Sequence, residues 1–107
     1  MTVSIYDVYR KRLKHLATDN NSTIEELFDQ GLEILFNKYE DILSGRKEKE
    51  IYLPIMVSTE ETEKIQMTFN ISDENVEKIA TLVRRTGLKK SILANVAIFY
   101  ILEELET

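Results

Sequence analysis

The sequence predicts a mainly α-helical fold with short β-ribbons, built from two tandem strand–helix–helix units. Residues 64–107 have the pattern of a strand followed by two helices, and residues 1–45 repeat that pattern 66 positions earlier. The last predicted helix is apolar on nearly every side, so it has to be buried on every side. One strand and one short helix are too small to cover it. We therefore expect the two units to share one core.

The strand of the second unit alternates strictly between apolar and polar side chains over residues 64–71. A period of two is typical of a strand with one buried face. The apolar positions are Ile65, Met67, Phe69 and Ile71. The opposite face carries the polar set Lys64, Gln66, Thr68 and Asn70. No acidic residue occurs from residue 64 to residue 72, although the chain as a whole is acidic.

Two helices follow this strand, and capping residues mark the limits of the first one. Ser72 is a preferred N-cap, and Asp73 and Glu74 place negative charge in the first turn, where the helix dipole favours it. Gly87 is predicted to end this helix in the left-handed conformation. The second helix is predicted to run from about residue 89 to residue 105.

The first unit aligns with the second by a shift of 66 residues without a gap. Asn21 then falls on Gly87, and Asn is the next-best residue for a left-handed helix end. Gly31 falls on Ala97, so two small residues coincide where we expect the two long helices to cross closely. An internal repeat of this kind changes the fold prediction as a whole.

The first unit also differs from the second. Its strand is shorter, since only Thr2 and Ser4 correspond to polar positions of the later strand. Its second helix begins with a capping box at Thr23 and is predicted to end near residues 44–45. Residues 46–63 form a linker, in which residues 51–57 are predicted to be extended, with Pro54 restricting them to a sheet edge. No function can be assigned to that segment from its sequence.

The C-terminal half resembles the ribbon-helix-helix DNA-binding family of the MetJ/Arc type. The resemblance lies in the order of its parts: a strand with polar outward residues, a capped helix, a glycine turn and a long apolar helix. The resemblance covers about forty residues of the C-terminal half. The tandem form resembles plasmid transfer proteins of the TraY type and archaeal-virus regulators such as AvtR. The resemblance implies that two strands pair as an antiparallel ribbon, which enters the major groove of DNA.

By this resemblance, alternate strand side chains read base edges and the N-terminus of the second helix holds a phosphate. The base-reading residues would be Gln66, Thr68 and Asn70, together with Thr2 and Ser4. The phosphate-binding residues would be Lys64, Lys89, Lys90 and Ser91, together with Ser22 and Thr23. The residue types fit, because Gln and Asn amides bond adenine bidentately and Thr offers a hydroxyl and a methyl group. The same residues could instead form an ordinary solvated strand face and plain helix starts.

Composition limits the function classes. The net charge of −5 argues against simple nucleic-acid binding, although residues 64–107 hold six basic and six acidic residues and are neutral. The absence of Cys excludes disulfides and thiolate metal sites. No catalytic constellation is present, so neither an enzyme nor a cofactor or metal site is predicted. No signal peptide is visible, and the expected location is the cytoplasm, or the host cytoplasm for a viral protein.

The predicted function is sequence-specific binding of double-stranded DNA by a transcriptional regulator, with repression as the expected outcome. The more complete C-terminal strand predicts a homodimer formed through that strand and the second helix of the same unit. The rival assembly pairs the two units within one chain. The alternative function is a protein-interaction module, such as an antitoxin-like or assembly protein, that does not read DNA. The acidic composition and the short first strand favour this alternative.

Overall fold

The structure, a computed structural model, describes residues 1–45 and 63–106. The predicted extended segment at residues 51–57 therefore lies outside the described residues. Over these residues the chain is mainly helical with a two-stranded antiparallel sheet, as the sequence predicts. In chain order the elements are β1 (Thr2–Tyr6), α1 (Asp7–Asp19), α2 (Ile24–Lys38), α3 (Glu40–Leu43), β2 (Lys64–Thr68), α4 (Asp73–Thr86) and α5 (Lys90–Glu106).

The two strands pair with each other within one chain. Thr2 lies opposite Thr68, Ser4 opposite Gln66, and the last pair joins Tyr6 to Lys64. The ladder continues past the strand ends, where the amide N–H of Phe69 donates to the Met1 carbonyl at 2.8 Å. This is the rival pairing within one chain. The ribbon expected between two copies of the C-terminal strand is not observed here.

Helix ends follow the predicted capping chemistry. The hydroxyl of Ser72 accepts a hydrogen bond from the Asn75 N–H, and Gly87 ends α4 with φ of 75°. The only non-glycine residue with positive φ in the described part of the chain is Asn21, with φ of 52°. Asn21 and Gly87 are the two positions that the shift of 66 residues brings together. A left-handed turn therefore separates the two helices in each half of the chain.

Helix α5 forms the centre of the core and packs against α1, α2, α4 and β1. Eight of its residues are buried, which accounts for a sequence that is apolar on nearly every side. Phe28 of α2 stacks on Phe69 with ring centroids 4.0 Å apart, and both side chains are fully buried. Within the described ranges, no helix combines the length and apolar character needed to cross a bilayer.

The second helix of the first half is shorter than predicted. α2 ends at Lys38, and the separate turn α3 follows after Tyr39. The Tyr39 hydroxyl lies 3.1 Å from the Tyr100 hydroxyl, and Ile42 is buried. The guanidinium of Arg85 donates to the Ile42 carbonyl at 3.1 Å. After the break at Tyr39, α3 packs against α4, with Ile42 in the core.

Candidate nucleic-acid interface

One face of the two-stranded ribbon is polar. Successive side chains of a strand point to opposite faces, and on β1 this places Val3 and Ile5 in the core. The opposite face is built from three cross-strand pairs, Thr2 with Thr68, Ser4 with Gln66, and Tyr6 with Lys64. We call these six residues the ribbon face. It brings together four of the five predicted base-reading side chains, Thr2, Ser4, Gln66 and Thr68.

The pair Thr2 and Thr68 lies at the centre of a local symmetry. Their hydroxyl oxygens are 2.8 Å apart and share a hydrogen bond. The two residues are 66 positions apart in sequence, and the same interval separates the starts of equivalent helices, Asp7 from Asp73 and Ile24 from Lys90. A two-fold axis relating the halves would therefore pass between these threonines. One hydroxyl proton of the pair remains for a partner outside the chain.

Asn70, the fifth predicted base-reading residue, follows the end of β2. β2 ends at Thr68, and Asn70 follows the last ladder pair, Met1 with Phe69. Its backbone N–H donates to the Glu25 carboxylate at 3.1 Å. Its side chain is exposed, but it lies beside the N-terminus of α2 and has no cross-strand partner in the described ladder. Asn70 therefore lies beyond the cross-strand pairs of the ribbon face, and its base-reading role stays a prediction.

The outer edge of β1 is bonded to α5. The Ser4 N–H donates to the Ser91 hydroxyl at 3.0 Å, and the Tyr6 N–H donates to Asn95 Oδ1 at 3.0 Å. The Asn95 amide nitrogen donates in turn to the carbonyls of Ser4 and Ser91, at 3.0 and 2.9 Å. These bonds fix the ribbon on the first turns of α5. Ser91, a predicted phosphate-binding residue, is half-buried and has this positioning role.

Asn95 is a residue that the sequence analysis missed. It is the one buried polar side chain among the described residues, with 8% of its surface exposed. The signal available in the sequence was a single amide in the middle of an otherwise apolar helix. A buried polar group has to find hydrogen-bond partners, so such an amide indicates a neighbouring backbone with unpaired groups, here the edge of β1.

The start of α5 is basic. Lys89 and Lys90 are both exposed, and no acidic residue lies in the first turn of the helix. Lys64 extends the same region from the ribbon, with its ammonium nitrogen 5.1 Å from the ring centroid of Tyr6. The structure thus gathers three of the predicted phosphate-binding lysines at one end of the ribbon. The first backbone amides of a helix have no intrahelical acceptor and favour anions.

The start of α2 is acidic, although it is the equivalent position in the first half. The Thr23 hydroxyl accepts from the Glu26 N–H and donates to the Glu26 carboxylate, both at 3.1 Å. Thr23 is thus the predicted N-cap, and Ser22, half-buried, precedes it. Burial and the Glu25 carboxylate nearby raise the pKa of Asp29. Three carboxylates and a filled cap disfavour a phosphate at this helix start, and the predicted site at Ser22 and Thr23 stays a prediction.

The basic cluster of α1 is largely paired with acids. Asp7 contacts Arg10 at 2.9 Å and Lys11 at 3.3 Å. The hydrogen bond from Arg10 is the main cause that lowers the pKa of Asp7. Arg12 pairs with Glu106 at the other end of the chain. These contacts indicate a solvated structural face, in contrast to the start of α5.

Comparison with known proteins gives no assignment, since no protein-family model, characterised protein or solved structure matches this chain. The function is therefore inferred from the geometry of the ribbon face and the charge at its two ends.

Proposed function

We propose that this protein is a sequence-specific, double-stranded DNA-binding regulator of transcription, acting as a repressor, with the fold of a tandem ribbon-helix-helix protein. The observation that carries the proposal is the ribbon face. In a chain of net charge −5, it presents uncharged hydrogen-bonding side chains and one lysine, without an acid, on an exposed two-stranded sheet. A ribbon of this kind fits the major groove, which is about 12 Å wide.

The family assignment within this proposal is supported by equivalent contacts in the two halves. The Ser4 N–H donates to Ser91, and 66 residues later the Asn70 N–H donates to Glu25, the residue equivalent to Ser91. In both halves, the backbone two residues after the central pair of Thr2 and Thr68 is thus bonded to a side chain in the first turn of a long helix, α5 for Ser4 and α2 for Asn70. A ribbon held between two helix starts is the arrangement expected for groove insertion with flanking phosphate contacts.

Base reading is assigned to the ribbon face. The carboxamide of Gln66 can bond adenine at two atoms, and the hydroxyl and methyl groups of Thr2 and Thr68 suit a thymine edge. Five residues at a rise of about 3.3 Å span roughly 16 Å, or about five base pairs at 3.4 Å per pair. The protein would therefore read a short site, with Gln66 as its main discriminating contact.

Phosphate binding is assigned to the α5 end of the ribbon alone. Lys64, Lys89 and Lys90 lie there, whereas Glu25 and Glu26 lie at the α2 end. Phosphate contacts fix the register of a protein on the duplex. With a basic and an acidic end, the ribbon would bind DNA in one orientation, and its site would have no two-fold symmetry. Few phosphate contacts also predict weak non-specific binding with a shallow salt dependence.

The test is a comparison of two glutamine variants on a duplex enriched from a random pool. Gln66→Ala should weaken binding to that duplex by about tenfold or more, since a bidentate base contact contributes about 1–3 kcal/mol. Its affinity for unrelated duplexes should stay unchanged. Gln30→Ala, an exposed glutamine on α2, is the matched control. Equal affinities of Gln66→Ala and Gln30→Ala for the enriched duplex would exclude the base-reading assignment.

A second candidate function is a protein-interaction module that does not read DNA, such as an antitoxin-like or assembly protein. The acidic α2 end favours it, because Glu25, Glu26 and Asp29 form a surface that repels DNA. Under this candidate function, only weak and salt-sensitive binding to any duplex is expected, and Gln66→Ala has no effect on it.

A further inference from the structure

A cavity of about 230 Å³ opens beside the basic end of the ribbon. Its walls come from both halves of the chain, with Tyr6 and Tyr9 on one side and Ile92 and Phe99 of α5 on the other. The two tyrosine rings meet edge to face at 5.6 Å. Lys64 and Lys89 also line the cavity. The cavity thus combines an aromatic and aliphatic interior with two ammonium groups.

We propose that this cavity binds a small organic anion with an aromatic or aliphatic body, whose charged group lies between Lys64 and Lys89. The size fits one ring system, because an apolar cavity of about 150 Å³ is enough to hold benzene. None of the described residues that line the cavity is acidic. Neither lysine forms an ion pair with an acid in the described part of the chain. The Lys64 ammonium lies over the Tyr6 ring, which is itself part of the lining.

Two further polar side chains line the cavity, Asn95 and Ser91, and the oxygen of each already accepts a hydrogen bond, which leaves neither as a free acceptor that would favour a cationic ligand. The Asn95 amide makes three hydrogen bonds to the backbone, to Tyr6, Ser4 and Ser91. Both ends of that side chain are therefore committed. Ser91 accepts from the Ser4 N–H, and its hydroxyl proton can still donate to an anion. Apolar walls with a few convergent polar groups are typical of small-molecule sites.

Occupancy of the cavity would act on the ribbon face. Tyr6 and Lys64 are a cross-strand pair of the ribbon, and Lys89 is assigned to a phosphate. An anion held by these lysines would neutralise the basic end of the ribbon and compete with the phosphate. The ligand would therefore release the protein from DNA. This last step rests on the proposed function, whereas binding of the anion does not.

Three probes of the whole chain, measured by isothermal titration calorimetry, test the site without DNA. Naphthoate carries a ring system and a charge, naphthamide has the same shape without the charge, and inorganic phosphate has the charge alone. We expect naphthoate to bind with one site per chain, and naphthamide and phosphate at least tenfold more weakly. Absence of naphthoate binding at millimolar concentration, or equal binding of naphthamide, would overturn the proposal.

Variants then locate the site. Lys64→Gln with Lys89→Gln should weaken naphthoate binding at least tenfold. Lys78→Gln should not, although Lys78 also lies over an aromatic ring, 5.4 Å from the centroid of Phe36. Unchanged naphthoate binding in the double variant would overturn the proposal.

A parallel titration on the enriched duplex separates the two proposals. Naphthoate binding without any duplex binding contradicts only the DNA function, and naphthoate binding that leaves duplex affinity unchanged contradicts only the competition.

Discussion

A Cβ atom built on Gly31 would lie 2.4 Å from the carbonyl oxygen of Ala97. This distance is shorter than any normal contact, and the atom it meets is backbone, which cannot move aside as a side chain can. The two long helices α2 and α5 therefore approach each other at a position where only glycine fits. The close crossing sets the distance between the two halves of the chain, and hence the geometry of the ribbon that both halves support.

Gly31→Ala should destabilise the protein. Overpacking costs about 1–3 kcal/mol, partly offset by up to about 1 kcal/mol from the better helix propensity of alanine. The free energy of unfolding in urea, compared with that of the wild type, measures the net loss. Gln30→Ala, one residue earlier and exposed, is the control and should leave the stability unchanged. A Gly31→Ala protein as stable as this control would contradict the close packing of α2 on α5.

Asn95→Ala should destabilise the protein by about 2–4 kcal/mol. The substitution leaves the Tyr6 N–H and the Ser4 carbonyl without their bonds to α5, and each unsatisfied buried group costs about 1–3 kcal/mol. Amide hydrogen exchange should show lost protection at Tyr6 in particular. Asn37→Ala, an exposed asparagine on α2, is the control for the chemistry of the substitution. Unchanged protection at Tyr6 would show that Asn95 does not bond the ribbon.

Asp7→Asn should lower the melting temperature at pH 7 and not at low pH. The pKa of Asp7 in the folded protein lies below its ordinary value of 3.8, chiefly through the hydrogen bond from Arg10. Because this pKa is lower in the folded than in the unfolded protein, the ionised Asp7 carboxylate stabilises the fold above pH 3.8. The contribution is lost as the pH falls through the pKa of the folded protein. Asp73→Asn is the control, because Asp73 starts α4 with Val76 and Glu77 in place of Arg10 and Lys11. Equal losses in both variants would assign the effect to the helix dipole alone.

The protein should be a monomer at micromolar concentration. The two ribbon strands already pair within one chain, and α5, the most apolar helix, is covered by the elements around it. Val76 is the one large apolar side chain that is exposed among the described residues, which is too little surface for a stable interface. Sedimentation equilibrium should give the chain mass of 12.5 kDa. Twice that mass would support the homodimer that the sequence favours.

Several features of the fold were predictable because they follow from local chemistry. The capping preferences of Ser72 and Gly87 predict the two ends of α4, and the alternation of apolar side chains predicts β2. The coincidence of Gly31 with Ala97 under the 66-residue shift predicts the helix crossing, which the structure confirms. Each of these signals is carried by neighbouring residues or by a repeat that can be read directly.

Other features depend on contacts between distant residues. The break at Tyr39 reflects its hydroxyl contact with Tyr100 and the bond from Arg85 to Ile42, which no local pattern reveals. The partner of β2 was ambiguous, because a strand with one apolar face pairs equally well with a copy of itself or with β1. Asn70 continues the alternation of β2 in sequence, but β1 pairs only as far as Met1 with Phe69. The acidic charge at the α2 end became relevant only when the structure placed it at the ribbon.

The central claim, sequence-specific DNA binding by the ribbon face, is tested most directly by selection from random duplexes at moderate salt, followed by footprinting of the enriched sequences. We expect enrichment of one short motif of about five base pairs, as the length of the ribbon predicts, without two-fold symmetry and with protection extending to one side only. No enrichment, with weak binding that disappears as salt is raised, would contradict the claim and favour a protein partner.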